Sequence, residues 1–350
     1  MNNVIGIDLG DKSHIAVVFD EHGAESKPQR ITNTATSMEK FLSKYPGCTV
    51  VMEAGTHSPW ISRLVESCGC TAHVGQPRKI RAIWDADDKS DERDARMLGR
   101  LYRFDVKMIP PVHHRGVEAQ ADLAMIKARK QLMDARQKLI NHVRCTVKSF
   151  GERLKTCGAA SFAEKTWEEV PEALRPALGG VYASIEALSE QIKDMESKIH
   201  RMSMERYPET EWLRQIPGVG PLTALSFVLV LEDPGRFAKS RDVGPFLGLT
   251  PRRDQSGECD KQLRITKSGD QGLRSLLVNC ATYILRESSP DCDLKRFGER
   301  ICERGGKRSR KTAKVAVARK LAVKLHRLWM DKADYEPFHT VGGGSKRAAA

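Results

Sequence analysis

Asp91 and Asp94, three residues apart in "SDERDARML", are the first residues in this chain whose type and spacing could do chemistry. On an α-helix that spacing sets both carboxylates on one face, about 5–6 Å apart at Cβ, where like charges repel unless something positive sits between them. A divalent cation would meet that need. So would a solvated helix start, because acids are favoured in a first turn and the arginines of the same stretch can balance them. Two more carboxylates close apolar runs upstream, Asp8 in "GIDLG" and Glu53 in "VMEAG", each readable alone as an ordinary turn or strand-end acid. A second kind of candidate is Ser256 in "PRRDQSGECDKQLRITKSG", set before a glycine among Arg252, Arg253, Lys261, Arg264 and Lys267. There a hydroxyl can attack phosphorus while cations hold the phosphate oxygens. A turn serine among backbone-binding cations fits the same letters. Cys259 competes as nucleophile but ranks lower, since phosphoryl transfer gains little from a soft thiolate.

The elements that must carry these groups begin with strands. "NVIGIDLG", "SHIAVVFD" and an extended piece reaching Ile31 read as a three-strand meander. A helix from Ser37 to Lys44 follows, then a strand "CTVVME" that delivers Glu53, a helix from Trp60 to Ser67, a strand "TAHVG", and helices around "PRKIRAIW" and over 90–103. Three meander strands followed by alternating helix and strand is the order of a ribonuclease-H-like α/β fold, a mixed sheet with helices on its faces. In such a sheet Asp8 on the central strand, Glu53 at the end of the fourth strand and Asp91 with Asp94 on the later helix converge on one edge. Four carboxylates gathered there call for cations, and two Mg²⁺ ions with oxygen ligands can clamp the attacking and leaving oxygens of a phosphodiester.

Downstream the chain reads as all-α. Val181, Ile185, Leu188, Ile192, Met195, Ile199 and Met202 alternate spacings of four and three, a heptad seam for a coiled coil or a long helical hairpin. Either a dimer arm or packing within the chain against Leu132, Leu139 and Val143 satisfies it, with Pro171 and Pro176 breaking the two long helices. "IPGVGPLTALSFVLVL" has the form of a helix-hairpin-helix, in which Gly218 and Gly220 let backbone N–H groups approach a phosphate; a plain turn between core helices is the alternative. A loop rich in Arg, Lys and Gly comes next, then a helix from about Gly269 to Arg286 and a basic C-terminal helix. The expected domains are 1–111 (ribonuclease-H-like), 112–208 (helical), 209–338 (C-terminal, with the serine and the basic helices) and a disordered tail over 339–350.

Composition narrows the function classes. With 40% hydrophobic and 29% charged residues, the chain is ordinary for a soluble globular protein. Its longest apolar run, "LTALSFVLVL", is too short to span a membrane, and the first residues carry no signal-peptide pattern, so a cytoplasmic protein is expected. Nine cysteines without a C-x-x-C pair fit thiols in a reducing compartment. The net charge is +13, and 295–332 alone holds fourteen Lys or Arg against three acids, a net of +11. That segment is an electrostatic footprint for a phosphate backbone, with Lys307, Arg308, Arg310 and Lys311 as expected contacts, joined from upstream by Arg252, Arg253, Arg264, Lys267 and Arg274. An actin-like ATPase or sugar kinase would share "GIDLG" but needs a second glycine-rich phosphate loop that the sequence lacks. A nucleic-acid scaffold without catalysis would have no need of the acidic cluster.

"GIDLGDKSHIAVV", "VVMEAGTHSPWI" and "DKSDERDARMLGRL" resemble the N-terminal RuvC-like domain of bacterial insertion-sequence transposases of the DEDD type, the family numbered 110 and 1111. "IPGVGPLTA", "FLGLTPRRDQSG" and "RITKSGDQGLRSLL" resemble that family's C-terminal transposase domain, in the same order. Ser90 stands where the family pattern has threonine, and Glu258 and Asp260 are acidic where it is commonly basic. The resemblance implies that Asp8, Glu53, Asp91 and Asp94 are a tetrad binding Mg²⁺ or Mn²⁺, as two ions, and that Ser256 joins covalently to a DNA strand end. It further implies recombination of donor and target DNA through a branched intermediate, an element-encoded guide RNA, a homo-oligomer (dimer or tetramer), and a place at the bacterial nucleoid. A RuvC-like endonuclease that cuts branched DNA by metal-activated water, with Ser256 structural, is the alternative.

Overall fold

The computed structural model describes residues 3–80, 90–256 and 259–338, and for residues 256 and 259–262 their backbone. The tail expected over 339–350 lies outside the described residues. The chain divides into two compact units, Met1–Gly116 and Val117–Ala350.

In the first unit the apolar runs become β1 (Val4–Asp8), β2 (Ser13–Phe19), β3 (Gln29–Thr32), β4 (Thr49–Glu53) and β5 (Thr71–Gly75). They form one mixed sheet in the order β3-β2-β1-β4-β5: β1–β2 and β2–β3 are antiparallel, β1–β4 and β4–β5 parallel. The parallel pairs need crossover helices, which α1 (Ala35–Leu42) and α2 (Ser58–Ser67) supply. Strand alternation then sorts the faces. Ile5, Ile7, Val50 and Met52 pack with Met38, Phe41, Ile61 and Val65 of those helices, while Val4, Ile15, Val17, Phe19 and Val51 pack against Ala95 and Leu98 of α3 (Asp91–Phe104). This five-stranded mixed sheet agrees with the ribonuclease-H-like order expected from the sequence. Of the helix expected at "PRKIRAIW", a 3-10 turn, Pro77–Lys79, is present, after which Ile80 turns into the core; 81–89 lie outside the described residues.

The second unit opens with two long helices, α4 (Val117–Ser149) and α5 (Arg175–Glu205), packed on each other. Ile185, Ile192 and Ile199 of the heptad seam are buried, whereas Val181, Leu188 and Met195 are half-buried. The chain then builds a core around α6 (Pro221–Leu231), apolar on every side and buried from Thr223 to Leu231. No helix among the described residues is long and apolar enough to cross a membrane. Around α6 lie α7 (Gln271–Ile284), α8 (Asp293–Cys302) and α9 (Gly306–Asp331). The segment expected to be an Arg/Lys/Gly-rich loop is instead an antiparallel hairpin, β6 (Pro251–Ser256) and β7 (Cys259–Ile265). It forms without a buried face on β6, through backbone ladder bonds, so the hydrophobic alternation that betrays a strand is missing.

Candidate active site

Three features of the first unit bring carboxylates to the end of the sheet. Ile7 is paired with Met52 across the parallel β1–β4 ladder, so Asp8 and Glu53 occupy the next position on adjacent strands, at their C-terminal ends. By alternation both belong to the face of Gly6 and Val51, the face that α3 covers. Both are half-buried, and the Oε1 atom of Glu53 is closed to solvent.

The third feature is the approach of α3. A Cβ on Gly6 would lie 2.0 Å from the Ala95 carbonyl oxygen and 2.8 Å from the Gly99 backbone nitrogen, so helix and central strand meet backbone to backbone. Ser90 caps the helix, its hydroxyl accepting from the Arg93 N–H at 3.3 Å. Asp91 stands four residues before buried Ala95 and Asp94 four before buried Leu98, so both carboxylates continue the sheet-facing stripe. Asp91 is exposed and Asp94 half-buried. Arg96 is not the counter-charge to this pair: with Arg100 it holds Glu25, at 3.1 and 2.6 Å, while Arg103 donates to the Asp20 carbonyl, tying α3 to the β2–β3 turn. Both acids also stand in the first turn of α3, at the positive end of the helix dipole.

Asp8 with Glu53, and Asp91 with Asp94, are thus brought together in pairs on one face. Among the described residues no group of three or more His, Cys, Asp or Glu side chains is arranged to hold a metal ion. The donor set is nonetheless all carboxylate, suited to a hard cation such as Mg²⁺ or Mn²⁺ and unsuited to zinc or copper.

Sequence reasoning passed over the histidines beside this site. His57, after β4, donates from Nε2 to Asp11 Oδ1 at 2.9 Å, while Trp60 Nε1 donates to its Nδ1 at 3.4 Å. His14 on β2 is fully buried, 6.4 Å from His57 between ring centroids. Burial holds its pKa below the usual imidazole value, against a side-chain hydrogen bond with Asn33 that raises it, and the charge His57 would carry adds weakly to the lowering. Spacing gives no signal for the His57–Asp11 contact, because the two are 46 residues apart.

In the second unit Ser256 ends β6 directly opposite Cys259, and the two residues between them, 257 and 258, lie outside the described residues. Arg252, Arg253 and Arg264 are exposed on the hairpin, and Lys267, also exposed, follows it with a left-handed backbone (φ 55°). Arg274 is half-buried and donates to the Leu247 and Ser268 carbonyls at 3.0 and 2.7 Å, latching the turn after the hairpin. Gly218 and Gly220 are exposed at the turn before α6; Gly218 has φ 89°, and a Cβ there would meet the Tyr283 ring at 2.6 Å. Lys307, Arg308, Arg310 and Lys311 lie on the first turns of α9, where the helix dipole disfavours cations unless an anion joins them.

Comparison with known proteins adds two family matches. A transposase family of the IS110 DEDD type matches residues 5–151, the segment with all four carboxylates, and the "Transposase IS116/IS110/IS902 family" matches 210–295, the segment with Ser256. The chain is 27% identical over 304 residues to the transposase for insertion sequence element IS1111A of Coxiella burnetii, covering 83% of this chain and 80% of that one. It is 28% identical over 289 residues to the transposase for IS1328 of Yersinia enterocolitica, covering 81% and 84%. A probable family 20 transposase of Pseudomonas aeruginosa is 25% identical over 346 residues, 95% of this chain and 98% of its own.

Proposed function

We propose that the chain is a DNA-cleaving and recombining transposase of the IS110 DEDD type that exchanges strands with two chemical centres, a carboxylate metal site and the Ser256 hydroxyl; the two family matches and the similar transposases support this reading. The carrying observation is the adjacency of Asp8 and Glu53 on parallel strands, with Asp91 and Asp94 on the helix stripe that faces the same side. Asp8, Glu53, Asp91 and Asp94 would hold the divalent ions, two of Mg²⁺ or Mn²⁺. Bound there, the ions supply neutralisation of phosphodiester charge and activation of an attacking hydroxyl.

Ser256 attacks the scissile phosphorus. An Oγ–P ester forms as the hydroxyl gives up its proton, the bond to the leaving deoxyribose oxygen breaks, and that oxygen takes up a proton, so the net proton passes from serine to the leaving group. Arg252, Arg253, Arg264 and Lys267 hold the phosphate oxygens through the charge developed in the transition state. Release reverses the step with a different strand end, which exchanges partners without hydrolysis. Donor and target DNA are the substrates, Gly218, Gly220 and the cations of α9 bind backbone, and an element-encoded guide RNA selects the sites within a dimer or tetramer. Support for this wider assembly is the resemblance of both halves of the chain, the basic segment, and the half-buried Leu188 and Met195 of the helical seam.

The test is cleavage of end-labelled element-junction DNA with Mg²⁺, with Mn²⁺ and with chelator, by the wild type and by Asp8→Asn and Glu53→Gln. Cleavage should require the ion and fall about 100-fold or more in each variant, since a ligand of the metal acts on the transition state directly. Cleavage that persists in chelator, or survives both substitutions, would overturn the carboxylate centre.

A further inference from the structure

Beside the proposed chemistry, the second unit has a surface groove of about 1150 Å³ along one face of α9. One wall carries Arg319, Lys320, Lys324 and Arg327. At the rise of an α-helix their spacing sets them along a single face over about 12 Å. Lys239 and Arg241 face them from a 3-10 turn, against two acids in the same lining, Asp293 and Glu336. The turn is fixed to the helix by His326, 1% exposed, whose Nδ1 accepts from the Ser240 hydroxyl at 3.0 Å while its Nε2 donates to the Pro234 carbonyl at 2.9 Å.

None of the six cations enters an ion pair among the described residues. Lys320 rests instead over the Phe297 ring, 3.9 Å from its centroid, and Lys324 over the Tyr335 ring at 5.5 Å. These contacts orient the ammonium groups without neutralising them. Six like charges held along one groove repel one another, and a polyanion relieves that repulsion. A single phosphate cannot span such a row of cations. A duplex strand, with one phosphate per about 3.4 Å of axis, places three or four of them there. Among the described residues the lining has no Asn or Gln to read adenine edges, and the row of Lys and Arg matches the spacing of three or four backbone phosphates. Thr250, at the foot of the hairpin whose β6 ends at Ser256, borders the same groove.

The geometry points to this groove as a sequence-independent clamp for one phosphodiester strand of duplex DNA, leading to the foot of the Ser256 hairpin; the choice of DNA rests on the recombinase reading. Its lining shares no residue with the carboxylate set or with the first turns of α9. Full-length protein is titrated with a fluorescent 30-base-pair duplex of arbitrary sequence between about 50 and 200 mM salt. The comparison is between Arg319→Gln/Lys320→Gln/Lys324→Gln/Arg327→Gln and Lys138→Gln/Lys148→Gln/Lys165→Gln/Lys193→Gln, which removes equal charge from other exposed helical positions.

Each lost phosphate contact lowers the slope of log K against log salt by about 0.9. The groove variant should therefore have a slope shallower by roughly 3 to 4, and the comparison variant one close to wild type. If circular dichroism finds the fourfold variant unfolded, Arg319→Gln/Arg327→Gln, both exposed positions, should lower the slope by about 2. Equal slopes in groove and comparison variants would overturn the clamp, as would a groove variant that loses binding to an RNA duplex while its DNA binding stays intact. Metal-dependent cleavage by the wild type reads the recombinase function separately: an active enzyme with an unchanged slope refutes the groove alone, and an inactive enzyme with a reduced slope refutes the proposed reaction alone.

Discussion

Replacing Gly6 by alanine puts a methyl group where no room exists. The new carbon would lie 2.0 Å from the Ala95 carbonyl oxygen. An ordinary C···O contact is about 3.3 Å, so about 1.3 Å of separation has to be found. The obstacles are backbone atoms in the interior of α3, Ala95 O and Gly99 N, so no side chain can rotate away. α3 must move as a body, and it carries Asp91 and Asp94 with it. Overpacking of this kind destabilises by about 1–3 kcal/mol, and a displacement near 1 Å at a reacting group lowers rate about 100-fold. The assay is metal-dependent cleavage at a temperature where circular dichroism finds Gly6→Ala fully folded, together with its thermal midpoint. A lowered midpoint with cleavage reduced about 10- to 100-fold is expected. A folded Gly6→Ala that cleaves within twofold of wild type would refute the claim that the strand–helix approach positions the acids.

Two other changes read the physical chemistry of the units. His14 is buried with a depressed pKa, so below the ordinary imidazole value of 6.5 the unfolded chain gains a proton that the folded chain refuses. Stability is then fully present above that value and falls as pH drops through it, by at most about 1.4 kcal/mol per pH unit. His114, depressed by burial and by Arg63, acts in the same direction. Urea midpoints between pH 7.5 and 5.5 should drop less in His14→Leu than in wild type, and an identical drop would mean His14 is protonated in the fold. In the second unit Asp122, 6% exposed, accepts from Arg206 at 2.9 Å and from the Tyr207 hydroxyl at 2.6 Å. Asp122→Ala should lower stability by about 2 kcal/mol in urea titration. That is less than for a fully buried ion pair because the Arg206 side chain is 47% exposed. No loss would show that water replaces both bonds.

The first unit was readable because its strands are apolar and its turns polar. "TAHVG" is β5 to the residue, and the helix over 90–103 is α3 within one residue at each end. Ser90 as a cap and three acids in a first turn are local signals, and they serve the helix start as well as any metal. What could not be read is the contact between Gly6 and Ala95, since nothing in "VIGID" marks that glycine as the point of closest approach. The hairpin around Ser256 was missed for a different reason: β6 is exposed from Pro251 to Gln255, so no buried face imposes alternation. The basic segment was visible as charge, but the groove was not, because Lys239 and Arg241 join α9 through His326 and Ser240, 86 positions apart. The isoleucine seam at 185, 192 and 199 is legible in the sequence, and all three residues are buried, Ile185 with Ile140 and Val143 of α4 and Ile199 in the core around α6.

Strand exchange without hydrolysis requires Ser256 to be the nucleophile. The direct measurement is a denaturing gel of end-labelled element-junction DNA incubated with Mg²⁺ and the protein copurified with its bound nucleic acid, looking for a protease-sensitive protein–DNA adduct. Wild type should give the adduct and Ser256→Ala should give none and cut no DNA. Cut DNA without an adduct, at the same rate in Ser256→Ala, would contradict the account and assign attack to metal-activated water.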